Sequence, residues 1–134
     1  ELRHGRAVGL LPDHVPPEGQ GVWAPFFGRP AYTMTLAAKL VHQTGAAVVM
    51  VWGERLAAAR GYCLHCLPMP EPLSGDLQTA VEQINRAVEQ LILTAPDQYM
   101  WGYPRYRRPR ALSGPVAALP AAGLPSRSAQ ETDA

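Results

Sequence analysis

The residues with the clearest chemical potential lie between Asp97 and Pro109. This stretch reads Asp97-Gln98-Tyr99-Met100-Trp101-Gly102-Tyr103-Pro104-Arg105-Tyr106-Arg107-Arg108-Pro109 and holds four aromatics and three arginines in thirteen residues. Guanidinium groups bind phosphate as planar forks, and aromatic rings suit the headgroup level of a bilayer. Tyr99, Trp101, Arg105 and Arg107 are therefore the leading candidates for contact with an anionic lipid or another phosphate. The plain alternative is a solvated end of the fold, with Trp101 docking the segment onto the core.

A second group of candidates precedes it. Trp23, Phe26 and Phe27 lie in the apolar run Gly21–Gly28, and Arg29 follows directly. These aromatics suit an acyl-chain pocket, a bilayer surface or ordinary core packing, while Arg29 could reach a phosphate from the same rim. Arg55 sits just past a buried strand, where a guanidinium can clamp a phosphate or simply solvate a turn. The pair in Cys63-Leu64-His65-Cys66 resembles a CxxC motif only superficially. Residues three apart on a strand face opposite ways, so the thiols diverge; neither a disulfide framework nor a metal site is expected.

Composition sets outer bounds. The chain has 134 residues, 47% of them hydrophobic, and a formal net charge of +1. That is one domain at most, with enough apolar residues for a core. The cations near the C-terminal segment form a local patch without a basic groove elsewhere, which argues against a nucleic-acid partner. No apolar run reaches the roughly 18 residues that a membrane-crossing helix needs.

The elements that must position these groups read as an α/β domain. Arg6–Leu11 is a continuous apolar run that predicts a buried strand, and residues 12–21 form a Pro/Gly loop. Gly21–Gly28 reads as an edge strand or packed loop, and Tyr32–Thr44 as a helix closed by Gly45. Ala46–Trp52 and Gly61–Leu67 predict a strand hairpin. Asp76 caps a helix whose apolar stripe runs through Leu77, Val81, Ile84, Val88, Leu91 and Ile92 until Pro96 stops it. Glu1–Gly5 has the form of a helix tail and its glycine cap, as in a chain entered partway through a larger protein. Residues 111–134 read as a disordered Pro/Ala-rich tail.

Four motifs occur in a telling order: Val8-Gly9-Leu10-Leu11-Pro12-Asp13-His14, Pro25-Phe26-Phe27-Gly28-x-x-Ala31-x-Thr33, Gly61-Tyr62, and Gln98-Tyr99-Met100-Trp101 with Arg105-Tyr106-Arg107 and Pro109. In this order and spacing they resemble the C-terminal half of the bacterial lipid A late acyltransferases, over residues 1–110. The resemblance implies a glycerolphosphate-acyltransferase-like mixed sheet flanked by helices. It implies transfer of a fatty acyl chain from acyl carrier protein to a Kdo-bearing lipid A precursor, on the cytoplasmic face of the inner membrane and with no cofactor. Partners would be acyl carrier protein, the lipid A precursor and inner-membrane lipid.

The family's catalytic motif is His-x-x-x-x-Asp/Glu, in which the acid orients a histidine that deprotonates the attacking hydroxyl. None of the four histidines here has an acid five positions on: Gly9, Gly19, Ala47 and Pro70 occupy those places. The resemblance therefore implies a fragment without its own catalytic base, probed for substrate binding at Asp13, His14, Arg29, Arg55, Arg105 and Arg107. Asp13 and His14 would hydrogen-bond the sugar or order the active-site loop; a turn that merely ends a strand is the simpler reading. Other glycerolipid acyltransferases on the same scaffold, a non-catalytic anionic-lipid-binding remnant and a truncated gene product are the alternatives.

Overall fold

The computed structural model describes residues 1–109, so the expected tail and Arg110 lie outside the described residues. Strand β1 (Gly21–Phe26) pairs antiparallel with β2 (Arg29–Met34), and helix α1 (Leu36–Thr44) follows at once. Strand β3 (Val49–Arg55) pairs antiparallel with β4 (Tyr62–Pro68), and the long helix α2 (Leu77–Thr94) packs across both units. Among the described residues the strands form two separate antiparallel hairpins, not one mixed sheet.

The β1–β2 turn is two residues, Phe27 and Gly28, with φ of 47° and 70°. Positive φ at both positions gives the turn twist that matches paired strands. Glycine tolerates it, whereas a bulky aromatic there is strained. The turn is held from outside: the Phe27 N–H donates to Glu89 Oε1 of α2 at 2.7 Å.

Helix α2 follows its apolar stripe. Asp76 accepts from the Thr79 N–H at 2.8 Å as N-cap. Hydrogen bonding from Thr79 holds the Asp76 carboxyl below its usual range. Ala80, Val81, Ile84, Ala87, Val88 and Ile92 are buried against Ala24, Phe26, Ala31, Ala38 and Met50. Pro96 ends the helix in a single 3-10 turn, Pro96–Gln98.

Three expectations are corrected. Arg6–Leu11 is not a strand; it runs without regular structure and walls an apolar cavity of about 580 Å³ with α1, β3 and α2. The run has no ladder partner among the described residues and stays largely exposed, with Leu11 61% exposed, which periodicity alone does not reveal. Asp13 and His14 consequently lie in a turn and not at a strand end. The predicted helix from Tyr32 starts only at Leu36, because Ala31, Tyr32 and Thr33 pair with Ala24, Trp23 and Val22 in the hairpin. The glycine cap, by contrast, stands as read: Gly5 at φ 71° closes a short 3-10 turn, Leu2–His4.

Register also fixes the faces of β3–β4. Met50 and Leu67, Trp52 and His65, and Glu54 and Cys63 are opposite pairs on one face; Val51 and Cys66, and Gly53 and Leu64, share the other. The two thiols therefore diverge. Val51 and Leu64 on the second face are exposed.

A tight approach supports the first hairpin. The Tyr32 hydroxyl accepts from the N–H of Gly19 and of Gly21, both at 3.1 Å. A Cβ on Gly21 would lie 2.7 Å from the Thr33 carbonyl oxygen and 2.8 Å from Pro16. Gly21→Ala is expected to destabilise the protein by about 1–3 kcal/mol through overpacking. Gly53→Ala, where a Cβ meets nothing within 4 Å, should stay within about 0.5 kcal/mol. Denaturant midpoints at unchanged slope measure both.

Candidate functional site

The C-terminal segment folds back over the first hairpin and closes a cleft of about 660 Å³ against it. Its walls bring together Phe26 and Phe27 of β1 and its turn, Arg29 of β2, and Tyr99, Trp101, Arg105 and Arg107 of the segment. Trp23, Asp13, His14 and Arg55 do not line it.

The segment is pinned by hydrogen bonds. The Tyr106 hydroxyl donates to the Phe26 carbonyl at 2.8 Å, and Trp101 Nε1 donates to the Pro96 carbonyl at 2.7 Å. The Tyr99 hydroxyl donates to Asp13 Oδ2 at 3.1 Å, and the Val15 N–H donates to the Tyr103 hydroxyl at 2.9 Å. Asp13 thus anchors the cleft wall from behind, and His14 stacks on the Tyr103 ring at 4.8 Å. Burial, reinforced by the Asp13 carboxylate, pushes the Tyr99 hydroxyl far above its ordinary value, so it stays protonated and donates.

The arginines divide into two kinds. Arg105, expected at a phosphate, is only 3% exposed. Its Nη1 donates to the Tyr32 carbonyl at 3.0 Å, and its Nη2 to Thr33 Oγ1 at 2.7 Å and to Asn85 Oδ1 at 3.5 Å. Its guanidinium lies 4.9 Å from the Phe26 ring centre, and its Nε–H is buried without a partner. Burial pulls its pKa down, opposed chiefly by Tyr99 and Asp13. Asn85 completes the network, with Nδ2 donating to the Pro25 carbonyl at 2.7 Å and to Thr33 Oγ1 at 3.2 Å.

Arg29 and Arg107 are exposed. Arg29 rests 4.1 Å above the Tyr106 ring and Arg107 lies 5.8 Å from the Tyr103 ring. An aromatic shelf of this kind orients a cation while leaving its N–H fork open to an anion. Phe27 packs on Trp101 at 5.9 Å, and Trp101 on Tyr99 at 4.9 Å, which gives the cleft an aromatic rim.

The remaining candidates serve other places. Trp23 packs on Tyr32 at 5.4 Å, and its carbonyl accepts from Gln78. Arg55 ends β3, with its backbone bonded in both directions to the Gln98 side chain. Sequence reasoning missed Asn85, Glu89, Tyr103 and Tyr106. Asn85 carried a readable signal: it is a polar residue beside Ile84 and four positions from Val81 on the apolar stripe of α2.

Arg105→Met would strand the Thr33, Asn85 and Tyr32 acceptors in a buried place and should cost on the order of 3 kcal/mol. Arg107→Met should change stability by less than about 0.5 kcal/mol. Chemical denaturation of the two variants separates the buried arginine from the exposed one.

Comparison with known proteins agrees with this arrangement of motifs. Residues 1–108 match the family described as bacterial lipid A biosynthesis acyltransferase. Over 109 residues the chain is 35% identical to an Escherichia coli K12 protein named lipid A biosynthesis lauroyltransferase, covering 79% of this chain and 35% of that protein. It is 31% identical over 107 residues to the E. coli lipid A biosynthesis palmitoleoyltransferase and, equally, to a Shigella flexneri lipid A biosynthesis acyltransferase, with the same coverage of 79% and 35%. The chain thus spans about a third of the length of these relatives.

Proposed function

Because this chain belongs to the bacterial lipid A biosynthesis acyltransferase family, we propose that the protein it forms part of transfers a fatty acyl chain from acyl carrier protein to a Kdo-bearing lipid A precursor. The reaction would take place at the cytoplasmic face of the inner membrane, on a glycerolphosphate-acyltransferase-like scaffold. Among the described residues no helix is long and apolar enough to cross a membrane.

The observation that carries the reading is the pairing of Arg29 and Arg107 on one aromatic-rimmed cleft. In this proposal the two exposed guanidiniums hold a phosphate of the precursor, each through charge-assisted hydrogen bonds. Trp101 and Phe27 meet the apolar part of the lipid or the headgroup level of the bilayer. The cavity on the other side of Tyr99, walled by Leu10, Leu40, Met50 and Leu91 among others, offers an acyl chain an apolar surface. Arg105 acts as a positioning residue: it fixes the segment that presents Arg107.

The chemistry of acyl transfer needs a base to take the proton from the attacking hydroxyl as its oxygen attacks the thioester carbonyl. The histidines of this chain lack the family's acid partner at the required spacing. The base is therefore assigned to polypeptide outside these 134 residues, and the chain alone is expected to bind without turning over.

The test is acyl transfer by the full-length protein, with acyl-carrier-protein donor and lipid A precursor in detergent micelles. Arg29→Ala and Arg107→Ala should each raise KM for the precursor about 10-fold or more, the worth of one charge-assisted contact, with KM for the acyl donor little changed. A precursor lacking phosphate should make wild type and variants alike. Equal KM values on the phosphorylated precursor would sink the assignment of the cleft, and absence of any transfer by the wild type would sink the activity.

A further inference from the structure

The solvent-facing end of the β3–β4 hairpin gathers three metal-ligating side chains of different chemistry. We propose that Glu54, Cys63 and His65 form a binding site for one borderline-soft divalent cation, of which Zn²⁺ is the best match. One ligand atom from each lies within 4.8 Å of the other two. The site is separate from the aromatic cleft, none of whose walls these residues form.

Strand register builds it. Glu54 is directly opposite Cys63, and His65 is two residues along β4 from Cys63, so all three project from one face. His65 Nε2 lies 2.8 Å from Glu54 Oε2. The Trp52 ring stacks on the imidazole at 4.7 Å and 13°, fixing its plane. Because the ligands sit on two paired strands and not on a loop, little backbone ordering accompanies binding.

The donor set decides the ion. Thiolate sulfur, imidazole nitrogen and carboxylate oxygen suit Zn²⁺, whereas Mg²⁺ and Ca²⁺ call for oxygen. Ordinary zinc bond lengths set ligand atoms roughly 3.3–3.8 Å apart. The widest separation here must shrink by about 1 Å and the His65–Glu54 pair must open slightly, within the reach of side-chain rotation on an exposed strand. The Glu54 and His65 side chains are each 36% exposed, so the ion has a path from solvent.

Proton balance follows. The Cys63 thiol loses its proton to become the thiolate ligand, and the imidazole of His65 binds as a neutral ring through Nε2, its single ring proton residing on Nδ1. One proton goes to solvent per ion, and no electron is transferred. The fourth coordination position faces water.

Cys66 supplies an internal control, because it lies on the opposite face of the same strand. With the full-length protein, alkylation of each thiol is followed by peptide mass mapping with and without Zn²⁺. Zn²⁺ should slow Cys63 by about 10-fold or more and leave Cys66 nearly unchanged. Co²⁺ should give tetrahedral ligand-field bands with sulfur-to-metal charge transfer. That spectrum should be lost in Cys63→Ser, weakened by Glu54→Gln and His65→Asn, and retained in Cys66→Ser. Equal protection of the two thiols, a Co²⁺ spectrum that survives in Cys63→Ser, or competition by excess Mg²⁺ would each overturn the proposal.

Discussion

One buried guanidinium organises much of this structure. Arg105 enters a largely apolar core, and its acceptors are a carbonyl, a hydroxyl and an amide instead of a carboxylate. A charge removed from water without a counter-ion is tolerated when most of its donors are met and an aromatic face shields it. The Phe26 ring and the Thr33–Asn85 pair supply those conditions. The same contacts join the C-terminal segment, β2, α2 and the Pro25 carbonyl of β1 in a single polar knot.

The cleft depends on that knot. Arg107 and Tyr106 flank or follow Arg105 in the chain, so the anchor determines where they emerge. Tyr106 then carries Arg29 on its ring, and its hydroxyl ties the segment to Phe26. Glu89 holds the strained Phe27 turn from α2, so the long helix supports the cleft from two positions, Asn85 and Glu89, one helical turn apart. The helix positions the site without lining it.

How much of this was legible in the sequence depends on whether a feature is local. The cap at Asp76, the stripe of α2 and the stop at Pro96 are local, and they stand where the spacing put them. The β3–β4 hairpin was readable because two apolar runs, the first of them Val-rich, flank a short turn region. The Arg6–Leu11 run and the start of α1 were not, because each depends on what lies opposite: no partner among the described residues for the first, and β1 for Ala31–Thr33. Grouping the aromatics and arginines near residues 97–109 with Phe26, Phe27 and Arg29 was within reach. Telling Arg105 from Arg107 was not, since two residues of the same type differ only in partners that lie 20 to 73 positions away.

That separation has a consequence for how the protein is made. Chains leave the ribosome from the N-terminus, and domains tend to fold as they emerge. The hairpins and helices can assemble early, yet Thr33 and Asn85 must wait for a residue 72 and 20 positions downstream. Until it arrives, their polar groups sit in a half-closed core open to water, and the cleft has one wall. The cleft is therefore the last part of this region to mature, because its second wall forms only after Arg105 and Arg107 have emerged.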